Sequence, residues 1–167
     1  MLKEGIKGTQ EVVVSEENTA KTMGSGALDV FATPAMIALM EKTAWESVQP
    51  YLEEGSGTVG TLMNVKHVAA SPVGMKITCE TELVKVDGRA LTFTVKAFDE
   101  AGLIGEGEHE RFVVFNDKFQ AKADAKLQIK GRHDPCIVPR AAVVQNTLAA
   151  FAVLDLLTVR YGTLGQK

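Results

Sequence analysis

Basic residues are outnumbered by acidic residues in this sequence, and cysteine is rare. Its 167 residues include 18 Lys and Arg against 21 Asp and Glu, which gives a formal net charge of -3. A protein that binds nucleic acid by displacing counterions needs a basic surface, so this balance argues against a nucleic-acid partner. The two cysteines, Cys79 and Cys136, are too few and too far apart for a metal-binding pattern. We therefore expect no metal site, and by default a reducing cytoplasm.

A membrane-spanning segment is also lacking. The longest apolar stretch, residues 141–159, is interrupted by Gln145, Asn146 and Asp155, whose polar side chains are expensive in lipid. The N-terminus shows no basic region followed by an apolar signal core. The sequence therefore predicts no membrane partner, and we expect the apolar stretch to form a buried or interface helix.

Alternation of apolar and polar residues dominates residues 59–115. Asp87-Gly88 and residues 99–102 are turn signals between alternating runs, and residues 10–14 form a further short strand. A single long helix, beginning at residues 32–34, precedes this region. One helix lying across the apolar face of a curved, five-stranded antiparallel sheet is the economical packing, so the sequence predicts an α+β fold.

Glu41 stands on the apolar side of the predicted helix. The apolar residues of that side recur at spacings of three and four: Met36, Ile37, Met40, Ala44 and Val48. An ionised carboxylate is costly to bury, so such a group either finds a partner or has its pKa raised towards the range useful in acid–base chemistry. Glu41 is therefore a candidate catalytic residue, with a structural ion pair as the alternative.

Two further polar residues are expected near the helix. His67 shares a strand face with Met63 and Val65, and taken alone it is interpreted as a core histidine with satisfied hydrogen bonds. Thr33 taken alone is interpreted as the N-cap of the helix. Together with Glu41, they supply a hydroxyl, a carboxylate and an imidazole near a helix N-terminus, which are the usual ingredients of acyl transfer. Their spacing leaves open whether the three meet.

Gly60 and Arg111 are the candidate binding residues. Gly60 begins a predicted strand, and without a Cβ it lets a ligand approach its backbone N–H closely. Arg111 shares a face of the last strand with Gly105, Gly107 and His109, and it offers a fixed cation. The two glycines either leave room for a ligand or merely admit the helix.

Several of these features together resemble a known family. They are a short strand, a Gly/Ser-rich segment, the run Val-Phe-Ala-Thr-Pro-Ala-Met at 30–36, Glu41, Gly60, His67 and the ending Gly-Glu-His-Glu-Arg-Phe-Val-Val at 107–114. In spacing as well as type, they are similar to the hot-dog-fold acyl-CoA thioesterases of the fluoroacetyl-CoA thioesterase-like group, over about residues 3–126.

That resemblance implies a hot-dog fold, in which the sheet wraps around the long helix, and a homodimer or higher oligomer with acyl-CoA sites at the subunit interface. It implies that Thr33, Glu41 and His67 are catalytic and that Gly60 and Arg111 bind substrate. The implied activity is hydrolysis of a short- or medium-chain acyl-CoA to free CoA and a carboxylic acid, with no cofactor beyond the CoA of the substrate. Small residues at 24–27 do not support specificity for a fluorinated substrate.

The C-terminal residues depart from that pattern. Residues 131–140, Gly-Arg-His-Asp-Pro-Cys-Ile-Val-Pro-Arg, and the apolar stretch after them resemble the C-terminal signature of chorismate synthase, an enzyme that uses reduced flavin mononucleotide. Asp134 matches an aspartate of that family's flavin site, whereas Gln145 replaces a usual Glu. Since most of that enzyme has no counterpart in this chain, we interpret residues 127–167 as a helical tail appended to a thioesterase domain, residues 1–126.

Other functions remain open at this point. One alternative keeps the fold but makes the protein a non-hydrolytic acyl-CoA-binding protein. Another is a hot-dog enoyl-CoA hydratase or dehydratase, since related enzymes also pair a His with a carboxylate. A third is a purely interaction role through the apolar tail. For the hydrolase, residue types leave open whether Glu41 is a nucleophile or the base that activates water.

Overall fold

Five strands and two α-helices make up residues 2–127, the part of the chain that the computed structural model describes. In chain order they are β1 (Lys7–Val13), α1 (Thr33–Val48), β2 (Ser56–His67), β3 (Lys76–Asp87), β4 (Ala90–Asp99), β5 (Gly102–Phe115) and α2 (Asn116–Leu127). The expectations for an apolar helix and a chorismate synthase-like signature concern residues 131–159, which lie outside the described residues.

The strands form one antiparallel sheet in the order β1-β3-β4-β5-β2, so β1 and β2 are its edges. Helix α1 packs across one face of this sheet and buries its apolar side there. The buried residues of the core come from both layers: Met36, Leu39, Met40, Ala44 and Val48 from the helix, and Ile77, Cys79, Leu83, Leu91, Phe93, Val95 and Ala97 from the sheet. The α+β prediction is confirmed.

Both predicted hairpin turns are present. Gly88 follows β3 with a φ of +59°, a backbone conformation that glycine adopts without strain. In the second turn, the carboxylate of Asp99 accepts hydrogen bonds from the backbone N–H groups of Ala101 and Gly102, at 2.8 and 3.0 Å. These two turns keep β3, β4 and β5 adjacent in the sheet.

A β-bulge between Gly60 and Leu62 sets which residues of β2 face the helix. Strict alternation would put Gly60 on the opposite face from Met63 and His67. Because the bulge adds one residue, Gly60 faces α1 on the same side as both of them. Residues from the two halves of the strand therefore line one side of the helix.

Three boundaries differ from the predictions. β1 begins at Lys7 rather than at residue 10, and β2 begins at Ser56, before Gly60. The N-cap of α1 is Ala32, so Thr33 is the first helical residue. A polar helix, α2, follows β5 directly, and the sequence pattern had not indicated it. None of the helices within residues 2–127 combines the length and the apolar character needed to cross a membrane.

Candidate active site

The first residue of α1 and the last residue of β2 meet through their side chains. Thr33 Oγ1 lies 2.9 Å from His67 Nδ1. The prediction that the Thr33 side chain caps the helix is therefore wrong, since α1 has no side-chain cap and the hydroxyl turns to the imidazole instead. The free backbone N–H groups of the first helical turn lie beside this pair.

A cavity of about 300 Å³ adjoins the Thr33–His67 pair. Its other walls are mostly small side chains: Ala20, Ser25, Val30, Phe31, Val68, Ala69 and Ala70. Burial lowers the pKa of His67, so the imidazole is predominantly neutral at pH 7. The Nε2 atom of His67 is buried and has no hydrogen-bond partner among the described residues. A neutral imidazole bonded to a hydroxyl is able to act as a general base.

Glu41 projects from the middle of α1 towards β5. Its Oε1 atom lies 3.7 Å from Arg111 Nη1 and 4.0 Å from His109 Nε2. The sequence had placed Glu41 within the apolar stripe of the helix. Its side chain is 43% exposed, so it lies at the edge of that stripe instead. Of the two outcomes expected for this carboxylate, the structure shows the first, a charged partner.

Gly60 makes room for that carboxylate. A Cβ at this position would collide with Glu41 Oε1 and would come within 3.3 Å of His109 Cε1. The missing side chain therefore lets the Glu41 carboxylate lie against β2. The sequence had suggested instead that a ligand approaches the backbone at this position.

Arg111 is almost fully buried, and each of its three guanidinium nitrogen atoms has a hydrogen-bond partner. Its Nε atom donates to Thr58 Oγ1 and its Nη2 atom donates to the Thr58 carbonyl, both at 2.8 Å. Its Nη1 atom lies 3.0 Å from His109 Nε2, and His109 Nδ1 lies 2.8 Å from the Leu62 carbonyl. Burial lowers the pKa values of both Arg111 and His109. The cation that faces Glu41 is thus fixed by neighbours on two strands.

The five predicted site residues form two groups in one chain. Thr33 and His67 form the first, and Glu41, Gly60 and Arg111 form the second. Glu41 lies eight positions after Thr33 on the helix, which corresponds to about 12 Å along the axis. Within residues 2–127, no hydrogen bond or ion pair joins the two groups, and no cluster of His, Cys, Asp and Glu is arranged to hold a metal ion.

Sequence reasoning missed two members of the second group, Thr58 and His109. The sequence did place His109 on the same strand face as Arg111, and this was the available signal. Thr58 comes from a different strand, so nothing local to Arg111 pointed to it.

The glycines at 105 and 107 leave no room for a ligand. A Cβ on Gly105 would meet Met36 Sδ at 2.5 Å, and a Cβ on Gly107 would collide with the backbone of β2.

Comparisons with known proteins agree with these observations. The sequence model of the fluoroacetyl-CoA-specific thioesterase family matches residues 14–117. The fluoroacetyl-CoA thioesterase of Streptantibioticus cattleyicolor is 45% identical over 98 residues, which cover 59% of this chain and 70% of that enzyme. The chorismate synthase of Agathobacter rectalis is 51% identical over 39 residues, but these cover 23% of this chain and only 11% of that enzyme.

Solved structures support the same assignment. A structure of the fluoroacetyl-CoA thioesterase FlK superposes with a TM-score of 0.71 at 37% identity, covering 75% of this chain and 98% of that one. A hot-dog-like protein from Thermanaerovibrio acidaminovorans superposes with a TM-score of 0.69 at 25% identity, covering 77% of this chain and 94% of that one. This chain therefore belongs to the fluoroacetyl-CoA-specific thioesterase family, and it has the hot-dog fold that its sequence resemblance implied.

Proposed function

We propose that this protein hydrolyses the thioester bond of a short- or medium-chain acyl-CoA. Water adds to the thioester carbonyl, the carbon–sulfur bond breaks, and the products are a carboxylic acid and the free thiol of CoA. The observation that carries this proposal is the Thr33–His67 hydrogen bond at the start of α1, beside a cavity of about 300 Å³, in a chain of a thioesterase family.

The two groups of residues take different parts in this reaction. If Glu41 is the nucleophile, it forms an anhydride with the acyl group as the thiolate leaves, and His67, with Thr33 bonded to it, takes a proton from the water that hydrolyses this anhydride and passes it to the thiolate. If Glu41 is the base, it takes the proton from the attacking water, and His67 protonates the leaving thiolate. Backbone N–H groups at the start of α1 and at Gly60 polarise the carbonyl oxygen. Glu41 acts as the nucleophile or as the base that activates water, and Arg111 holds its carboxylate.

The walls of the cavity beside His67 suit a small acyl group. Four of its lining residues are alanine or serine, namely Ala20, Ser25, Ala69 and Ala70. A pocket of about 300 Å³ lies at the lower end of the range for small-molecule sites, so a short or medium acyl chain fits its size. These residues give no reason to expect selectivity for a fluorinated acyl group.

Two copies of the chain are needed to bring the groups together. Within residues 2–127, the outer edge of β2 pairs with no strand, and Leu62 on this strand is 45% exposed. An unpaired edge strand is a ready site for pairing with another chain. We infer a homodimer in which the β2 strands of two copies pair antiparallel.

The position of the twofold axis follows from the residues that must meet. In an antiparallel pair of identical strands, residues equally far from the axis lie opposite each other. Residues opposite each other share a face of the sheet, and the bulge adds one residue after Gly60, so an axis at Asn64 places His67 of the partner subunit beside Gly60. Each active site then combines Glu41 of one subunit with Thr33 and His67 of the other.

The reaction needs water and no cofactor beyond the CoA of the substrate. The protein binds two partners, the acyl-CoA substrate and the second copy of the chain. Since Cys79 forms no disulfide within residues 2–127, we also place the protein in a reducing compartment, the cytoplasm.

Release of free thiol from a panel of acyl-CoAs tests the function. The wild type should hydrolyse short- or medium-chain members, and Glu41→Gln should lower kcat at least about 100-fold while the protein stays folded. Glu46→Gln is the matched control, because Glu46 lies on the same helix but bonds to Gln10 and Lys42. Full activity of Glu41→Gln would remove Glu41 from the mechanism.

The same panel separates the alternatives. Binding of acyl-CoA without thiol release would identify an acyl-CoA-binding protein instead. A change in the absorbance of an enoyl-CoA, again without thiol release, would identify a hydratase. Either result contradicts the hydrolase.

A further inference from the structure

We infer that His109 is a positioning residue, which in its neutral Nδ1–H form fixes Arg111 and, through Arg111, the Glu41 carboxylate. The inference rests on the proposed role of Glu41 in hydrolysis. It adds a residue that never touches the substrate, since His109 is fully buried.

The hydrogen bonds of His109 define its protonation state. The Leu62 carbonyl, 2.8 Å from Nδ1, only accepts hydrogen bonds, so Nδ1 must carry a proton. The guanidinium of Arg111 only donates, so the Nε2 atom 3.0 Å away must present its lone pair. A proton on Nε2 would put two donors face to face. His109 is therefore a neutral imidazole with one defined tautomer.

This arrangement determines how Arg111 uses its donors. Of the five N–H groups of a guanidinium, Arg111 directs one each from Nε and Nη2 to Thr58 and one from Nη1 to His109. Two N–H groups are left, one of them on Nη1, the atom that lies 3.7 Å from Glu41 Oε1. The hydrogen bond that Nη1 donates to His109 therefore sets the direction in which the remaining Nη1–H points.

A neutral acceptor is what this position requires. A carboxylate in place of His109 would compete with Glu41 for the guanidinium, and a second cation would repel Arg111. The groups that face His109 are Glu41 from α1, Arg111 from β5, the Leu62 carbonyl from β2 and the Phe93 ring from β4, whose centroid is 6.3 Å away. Protonation of His109 is opposed by burial and by Arg111 together.

Two substitutions at His109 separate positioning from packing. In His109→Gln, the amide offers an NH₂ donor group and an oxygen acceptor, which can replace both hydrogen bonds of the neutral imidazole, but it does not titrate. His109→Leu has neither. We expect His109→Leu to lower kcat about 10- to 100-fold with little change in KM, because the carboxylate shifts while the binding surfaces stay in place. His109→Gln should recover most of that loss.

Phe93→Leu is the control for packing. Phe93 contacts the same core next to the His109 ring but makes no hydrogen bond to the site. It should lower the melting temperature while kcat stays close to that of the wild type. If His109→Leu keeps full kcat, or if His109→Gln is as impaired as His109→Leu, the positioning role is wrong.

A nitrogen-15 NMR spectrum of the histidine side chains tests the geometry independently of activity. At pH 7 the wild type should show a neutral histidine protonated at Nδ1, and this signal should be missing from His109→Gln. A signal of the Nε2–H form or of imidazolium at His109 overturns the inference. If the wild type releases no thiol from any acyl-CoA, the proposed function fails, and the positioning role fails with it. An active wild type with an active His109→Leu overturns the positioning role alone.

Discussion

Thr33 Oγ1 and His67 Nδ1 lie 2.9 Å apart at the point where α1 begins and β2 ends. The hydrogen bond joins residues 34 positions apart in the sequence and ties the N-terminus of the helix to an edge strand of the sheet. A hydroxyl, an imidazole and the free N–H groups of a helix start therefore lie together. That combination carries the thioesterase proposal in this chain.

Removing the hydroxyl should impair catalysis more than folding. Thr33→Val keeps a β-branched side chain but cannot bond to His67, and we expect kcat to fall about 100-fold. Thr33→Ser keeps the hydroxyl and should lose much less. The measurement is kcat on the best acyl-CoA of the panel, with the melting temperature of each variant as a check on folding. Equal activity of the Val and Ser variants would mean that the hydroxyl has no part in the reaction.

Gly60→Ala should displace the Glu41 carboxylate. The added Cβ would collide with Glu41 Oε1, and the side chain of Glu41, which is half exposed, is free to turn away. We expect a fall in kcat with little change in melting temperature. Gly57→Ala on the same strand is the control, because its Cβ would meet only the movable side chain of Asn116, at 2.6 Å. Similar losses in both variants would point to strand distortion instead.

Local signals in the sequence were sufficient for most of the fold. The alternation in residues 59–115 and the turn residues Gly88 and Gly102 predicted three hairpin-connected strands, and these are β3, β4 and β5. The start of β1 was missed because Lys7, Gly8 and Thr9 contain no apolar residue to mark a buried face. α2 was missed because its polar composition lacks a helical apolar stripe.

The site was only partly predictable, for a physical reason. Residue types and helix or strand faces pointed to Thr33, Glu41 and His67, but distances depend on tertiary packing. The bulge after Gly60 changes which residues of β2 face the helix, and no residue type near it predicts this change. The hydroxyl of Thr33 bonds to His67 rather than to its own helix because the edge strand ends beside it.

Acid should destabilise the protein through His67 and His109. Burial lowers the pKa values of His67 and His109 in the folded state, whereas histidine in an unfolded chain titrates near about 6.5. Below that pH the unfolded chain binds protons that the folded chain resists, so the free energy of unfolding should fall as pH drops from 7 towards the lowered pKa values. Urea denaturation between pH 7.5 and 5.5 measures the slope, and His109→Gln should flatten it. An unchanged slope would contradict the buried neutral state of His109.

Cys79 should be unreactive in the native protein. Burial raises the pKa of its thiol to about 11, so the thiolate that attacks alkylating reagents is scarce at pH 8. We expect mass spectrometry to find Cys79 unmodified after brief treatment with iodoacetamide, and alkylated when urea is added. Modification without denaturant would show that the core around Cys79 opens readily.

Mixing two inactive variants tests whether each active site is shared between subunits. In a shared site, Glu41→Gln and His67→Ala each inactivate both sites of their own homodimer. A mixed dimer has one site with both defects and one with none, because the intact Glu41 and the intact His67 come from different subunits. With random pairing, half of the dimers are mixed and half of their sites are intact, so about a quarter of the wild-type activity should return. The control is a mixture of Thr33→Val with His67→Ala, which should recover nothing, since both residues belong to the same half of the site. Recovery in neither mixture, with dimers demonstrated by light scattering, would mean that one chain builds its site alone.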